Sequence, residues 1–197
     1  MSATLWWIRH GPTHARTMVG WTDLAADLGD RAAIARLEAR LPPDAPVISS
    51  DLLRAVATAD ALQGGRPRLP HDPALRELNF GTWENRDHAS ISAEDPDLSW
   101  RFWDDPGIAA PPGGESWNDL RARVDAAADR LAARGGDVIV VAHFGAILSQ
   151  YQRAAGLTAR AALAQTVRPL SLSRFEHDGT WRARLVDHVA EAPGTAP

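Results

Sequence analysis

The first apolar positions are contiguous: Leu5, Trp6, Trp7 and Ile8 run straight into Arg9 and His10. Such a run, with no polar alternation, predicts a short strand covered on both faces. Over 31–41, Ile34, Leu37 and Leu41 recur at i, i+3 and i+7, which predicts a helix. The stretch PVISS at 46–50 predicts a second strand, and Asp51 is placed to cap a helix carrying Leu52, Val56, Ala59 and Leu62 on one side. Over 75–86 the pattern weakens to a loop or strand end broken by Gly81. From 84 to 115 it is lost, and Pro96, Pro106, Pro111 and Pro112 predict an irregular excursion with one short helix near 98–103. Ser116 then caps a long amphipathic helix with Trp117, Leu120, Val124 and Leu131 on its buried side. DVIVVA at 137–142 is β-branched and apolar on both faces, as central parallel strands are. A helix follows to about Ala155, with Gly156 as its stop, and 170–186 reads as a hairpin turning at Asp178 and Gly179.

Alternating strands and helices predict an α/β fold, a three-layer sandwich with a mostly parallel central sheet and helices on both faces. Residues 1–190 are expected to form a single domain, with 84–115 as an irregular lid over the carboxyl ends of the strands and 191–197 as a flexible tail. In such sheets ligands bind beyond the carboxyl ends of the strands.

Composition narrows the chemistry. There is no cysteine, which removes thiol nucleophiles, thiolate metal sites and disulfides. All 21 basic residues are arginine, so Schiff-base and P-loop lysine chemistry are also excluded. A net charge of −4 gives no general attraction to nucleic acid or to anionic membrane, and neither is expected as a partner. No apolar run approaches the ~18 residues of a membrane span. The expected location is the cytoplasm, and a homodimer is compatible with the sequence.

Three strand ends carry candidate chemistry. Arg9 and His10 follow the first strand, Arg54 lies on the first helical turn after the second, and His143 follows 137–142. Two guanidiniums, two imidazoles and a helix start on one rim suit a phosphoryl group, whose oxygens match the arginine fork. Each residue alone has an ordinary structural reading; their joint placement is what points to a site.

At these residues the chain resembles the histidine phosphatase superfamily, also called phosphoglycerate mutase-like. The resemblance rests on RHGPT, GWTDL, SSDLLRAVATA, LRELNFGTWE, GGESWNDLRARV and VIVVAHFGAI, and covers nearly the whole chain. It implies that His10 is a nucleophile, that Arg9, Arg54 and His143 grip the phosphoryl group, and that Glu77 donates the proton. The expected substrate-binding set is Arg9, Arg54, His143, Phe144, Thr13, Arg16 and Gly20, with no metal and no cofactor. Pro12 stands where the family usually has an acid, and Arg16 where it has an asparagine. Arg16 either adds a phosphate contact or points to solvent. Phe144 replaces a common glycine, and LAADLG after Asp23 departs from the usual loop ending.

The segment 84–117 carries Glu84, Asp87, Glu94, Asp95, Asp97, Asp104, Asp105 and Glu115 against Arg86 and Arg101. That balance disfavours a polyanionic substrate. The expected activity is therefore a metal-independent phosphatase acting through a phosphohistidine on a small phosphomonoester with a neutral or cationic remainder. Trp83, Trp100, Trp103 and Trp117 around the lid suggest an aromatic substrate of the α-ribazole phosphate kind. The alternatives are mutase-type phosphoryl transfer and a non-catalytic regulator that binds phosphoryl ligands. A zinc hydrolase using His14, His71, His88, His177 or His188 is a further reading, but none shows ligand spacing.

Overall fold

The computed structural model describes residues 2–190. Its elements in chain order are β1 (Ala3–Arg9), α1 (Arg31–Glu38), β2 (Val47–Ser49), α2 (Leu53–Gln63), α3 (His88–Glu94), α4 (Pro96–Asp104), α5 (Trp117–Ala132), β3 (Gly136–Ala142), α6 (Phe144–Ala155), α7 (Ala159–Leu163), β4 (Leu172–His177) and β5 (Trp181–His188). The five strands form one sheet in the order β2-β3-β1-β4-β5. β2, β3 and β1 run parallel, while β4 and β5 form the antiparallel hairpin on the other side of β1.

The alternation of side chains along the strands sorts the core into two layers. Leu5, Trp7, Val138 and Val140 pack with Leu120 and Val124 of α5 and Ile147 of α6 on one face. Ile8, Ile139, Val141 and Leu172 pack with Ile34 and Leu37 of α1 and Ala55, Ala59 and Leu62 of α2 on the other. Burial on both faces is why the strands read as unbroken apolar runs. No helix among the described residues is long and apolar enough to cross a membrane.

Register fixes the rim. Arg9 lies opposite Ala142, and Ser49 opposite Val141. The residues that follow all three parallel strands (His10, Ser50 and His143) therefore leave the sheet at the same height.

Several local expectations change. α2 is not capped by Asp51: its N-cap is Leu52, which offers no side-chain bond. Asp51 instead pairs bidentately with Arg76. The carboxylate that serves the helix start is Asp23, from a distant loop, accepting from the Leu53 amide at 2.7 Å. The lid holds two helices rather than one, because Asp87 and Asp95 each cap a helix and Pro96 opens α4 instead of breaking it. Helix α7 was not anticipated, and α1 ends at Glu38, although Leu41 is still buried. The hairpin turn at Asp178 and Gly179 is as expected, with Gly179 at φ 108°. The tail expected at 191–197 lies outside the described residues.

Leu5 is fully buried on β1, between β3 and β4. Leu5→Ala is expected to destabilise the fold by about 2–5 kcal/mol. In urea titrations this appears as a lower midpoint with an unchanged slope. A midpoint equal to wild type contradicts this packing.

Candidate active site

His10 is 6% exposed and is held by its backbone, whose amide donates to the Ala142 carbonyl at 3.0 Å. Its ring Nδ1 lies 2.6 Å from the Gly11 carbonyl oxygen. A carbonyl only accepts, so Nδ1 carries the hydrogen and Nε2 presents a lone pair. Arg54 Nε–H donates toward that Nε2 at 3.3 Å. Burial, first, and then the charges of Arg54 and Arg9 push the His10 pKa down to about 3, with the Gly11 hydrogen bond working the other way. The imidazole is thus neutral near pH 7 and nucleophilic at one defined atom.

Arg54 is 1% exposed on the first turn of α2. Its Nη1 donates to the Thr22 carbonyl at 2.9 Å, and Nη2 donates to the Gly20 carbonyl. Thr58 ties the same helix to the loop after β1, its hydroxyl donating to the Arg54 carbonyl at 2.6 Å and accepting from the Gly11 amide at 3.0 Å. Arg9 donates through Nη1 to the Val167 carbonyl at 2.6 Å, and its guanidinium lies 5.2 Å from the centre of the Phe144 ring. Arg9 Nε is buried without a partner.

His143 is fully buried, with its ring centre 5.0 Å from that of His10. Its Nε2 lies 2.7 Å from Ser50 Oγ, and its Nδ1 is buried without a partner. Burial and then the neighbouring His10 and Arg54 hold its pKa well below the ordinary value. Two neutral imidazoles and two guanidiniums therefore meet at the rim.

Glu77 stands at the start of α6. Its carboxylate accepts from the Gly145 amide at 3.0 and 3.2 Å and from the Leu78 amide at 2.9 Å. A helix N-terminus favours a carboxyl group in this place. Gly145 lets the carboxylate come this close: a Cβ there would sit 2.5 Å from Glu77 Oε1 and push it aside. The Glu77 backbone is clamped as well: its carbonyl accepts from Trp21 Nε1 at 2.7 Å and from Arg123 Nη2 at 2.8 Å. Arg123 also donates to the carbonyls of Ala74 and Arg76 and pairs with Glu115 at 2.7 Å.

The remaining expected binding residues are less engaged. Arg16 is exposed and makes no hydrogen bond among the described residues. Thr13 is half-buried. Gly20 contributes its carbonyl to Arg54, while its amide donates to Glu84 at 3.0 Å. Phe144 lies against Arg9 and forms a wall of an apolar cavity next to Glu77.

Ser50, Trp21 and Arg123 are not singled out by the sequence pattern, and Glu84 reads there only as an acid of the lid. Glu84 accepts from the amides of Gly20, Trp21, Thr22 and Phe80 and from the Thr22 hydroxyl. Burial opposes its ionisation, but these hydrogen bonds hold its pKa below the ordinary carboxyl range. The acid count of the lid therefore overstated its free charge. Glu84 and Glu115 are tied to the site's framework, Asp87 and Asp95 cap helices, Glu94 pairs with Arg86, and Asp104 pairs with Arg160. The other histidines disperse: His14 pairs with Asp27, His71 lies by Ser49, and His177 packs on Trp181. Among the described residues no three His, Asp or Glu side chains are grouped as a metal requires.

The chain belongs to the histidine phosphatase superfamily (branch 1), whose model it matches over residues 5–188. A bifunctional protein of Mycobacterium tuberculosis is 34% identical over 176 residues; the match spans 87% of this chain and 46% of that protein, so this chain covers about half the length of that relative. The adenosylcobalamin/alpha-ribazole phosphatase of Salmonella typhimurium is 30% identical over 152 residues, covering 73% of this chain and 75% of the relative. A probable phosphoglycerate mutase of Yersinia pestis is 31% identical over 185 residues, covering 89% and 86%. The solved structure of YhfR from Bacillus stearothermophilus superposes with a TM-score of 0.85 at 29% identity, covering 95% of this chain and 98% of that one. The family thus includes proteins named for hydrolysis and for mutase transfer.

The low His10 pKa has a stability consequence. Above the unfolded value of 6.5 both states hold a neutral ring; as pH falls from 6.5 toward about 3, the unfolded chain takes up a proton that the fold refuses. Stability is therefore lost across that window. His10→Gln is expected to show a shallower fall in urea midpoint between pH 6.5 and 4, and a slope identical to wild type contradicts the assignment.

Proposed function

We propose that the protein is a phosphatase that hydrolyses a small phosphomonoester through a phosphohistidine at His10, without a metal. The observation that carries this reading is the His10 tautomer set by the Gly11 carbonyl, which puts the lone pair on Nε2, with the Arg54 Nε–H 3.3 Å away. In the first step Nε2 attacks phosphorus, the bond from phosphorus to the ester oxygen breaks, and Glu77 in its acid form gives its proton to the departing oxygen. In the second step the Glu77 carboxylate takes a proton from water, the water oxygen attacks the phosphohistidine, and inorganic phosphate leaves. The arginines and the His143 ring stabilise charge on the equatorial oxygens, where phosphoryl transfer needs it. Splitting one displacement into two gives the nucleophile and the water separate steps.

Hydrolysis is favoured over mutase transfer by the surroundings of Glu77. A mutase must hold a second acidic group of its substrate, and the cavity adjoining Glu77 has no basic side chain in its walls. The same feature favours a substrate with a neutral remainder. α-Ribazole phosphate is a candidate of that kind, suggested by the name of the Salmonella relative and by the aromatic lid.

Rapid quenching with 32P-labelled p-nitrophenyl phosphate, worked up without acid, is expected to leave label on His10 alone, and EDTA is expected to leave turnover unchanged. Glu77→Gln is expected to slow single-turnover phosphorylation by an alkyl phosphate on the order of 10²-fold. The same change should slow p-nitrophenyl phosphate far less, since that leaving group departs as its anion. Label on another residue, or equal losses for both substrates, overturns the corresponding role.

A further inference from the structure

The cavity beside Glu77 has a volume of about 90 Å³ and is partly open. Its walls include Glu77, Phe80, Phe102, Trp103, Phe144 and Leu163. Two of these walls also border the phosphoryl slot. The Phe144 ring lies 5.2 Å from the Arg9 guanidinium, and the Glu77 carboxylate is pinned to the α6 amides that follow His143. A leaving oxygen protonated by Glu77 therefore carries its carbon skeleton toward this cavity.

The walls decide what skeleton fits. Phe102 and Trp103 of the lid helix α4 meet edge to face at 4.7 Å, and Phe80 packs on both at 6.2 Å, which makes a stiff aromatic wall. The wall side chains include no arginine or histidine. The Gly145 amide is taken by Glu77, and the Trp117 indole by Gln152 at 2.7 Å. Trp103 Nε1, buried without a partner, is the one spare donor. A polyol or a second acid entering here would lose water and regain little. An apolar skeleton gains roughly fourfold in binding for each methylene buried. The volume is smaller than the ~150 Å³ dry cavity that takes up benzene.

We propose that this cavity binds the alcohol portion of the substrate, and that the preferred class is a short branched-alkyl phosphate. The proposal rests on the phosphatase reading and narrows it. Trp103 of α4 and Leu163 of α7 set the specificity. α-Ribazole phosphate is disfavoured: its ester oxygen is carried by a ribose that would find no polar partners in the walls, and its base is a fused two-ring system too large for the cavity.

The test compares kcat/KM for 3-methylbutyl phosphate and glycerol 3-phosphate, whose leaving groups are both alkyl alcohols. Wild type is expected to prefer the 3-methylbutyl ester by about tenfold or more. Leu163→Trp, which fills the cavity, is expected to remove that preference by lowering kcat/KM for the 3-methylbutyl ester more than for glycerol 3-phosphate. Trp103→Leu, which enlarges the cavity, is expected to shift preference toward 1-naphthyl phosphate; it provides a second reading if Leu163→Trp does not fold. Phosphohistidine labelling from both alkyl esters is followed alongside. Equal kcat/KM on both esters in wild type, with His10 labelled, overturns the cavity assignment and leaves the phosphatase reading standing. So does a substrate ratio unchanged in both variants. No labelling from any ester overturns the phosphatase reading, and this proposal with it.

Discussion

Two guanidiniums at the rim, those of Arg9 and Arg54, make no direct ion pair among the described residues, although Glu77 lies near enough to favour the charged form of both. Both are held by backbone carbonyls, from Val167 in one case and from Gly20 and Thr22 in the other. Taking a guanidinium out of water without a directly paired carboxylate is costly, most of all for Arg54, which is buried where Arg9 is only partly so. That cost is tolerated only because the carbonyls are aimed correctly. The aim depends on Glu84, which collects the amides of Gly20, Trp21 and Thr22 and so fixes the turn whose oxygens face Arg54. The first acid of the lid thus sets the geometry of a cation it does not touch.

Burial, and then the charges beside them, explain the imidazoles. Taken out of water and set near two guanidiniums, neither His10 nor His143 holds a proton near neutral pH. The rim therefore presents two guanidiniums and two neutral imidazoles. Glu77 is held beside this cluster by a different device. Its carboxyl is bound to the start of α6, and its carbonyl is held by Trp21 and by Arg123, which Glu115 orients in turn. A carboxyl fixed through both its side chain and its backbone has little freedom, which is what positioned acid–base chemistry needs.

Much of this was legible in the sequence, for an identifiable reason. The strands are buried on both faces, so they read as apolar runs, and the residues just past their ends fall on one rim whatever the details of the register. That is why Arg9, His10, Arg54 and His143 could be placed together. What was not legible depends on partners distant in sequence. Asp51 has the spacing of a helix cap, yet it meets Arg76, and the capping carboxylate is Asp23, 30 positions earlier than Leu53. Glu84 and Glu115 read as solvated acids of a lid, because a carboxylate bound to amides or to Arg123 has the same one-letter code. Pro96 reads as a breaker but opens α4 after the Asp95 cap. Arg16 has the composition of a phosphate ligand and stands exposed, away from any partner among the described residues.

The account stands on His10 being neutral, with its hydrogen on Nδ1 and its lone pair on Nε2. Two-bond 1H–15N spectra of protein labelled at histidine read both facts for each ring. At pH 7, and still at pH 5, His10 should show a protonated Nδ1 and an unprotonated Nε2, as the Gly11 carbonyl at 2.6 Å and a pKa of about 3 require. An imidazolium at pH 5, or a neutral ring with the hydrogen on Nε2, would contradict it.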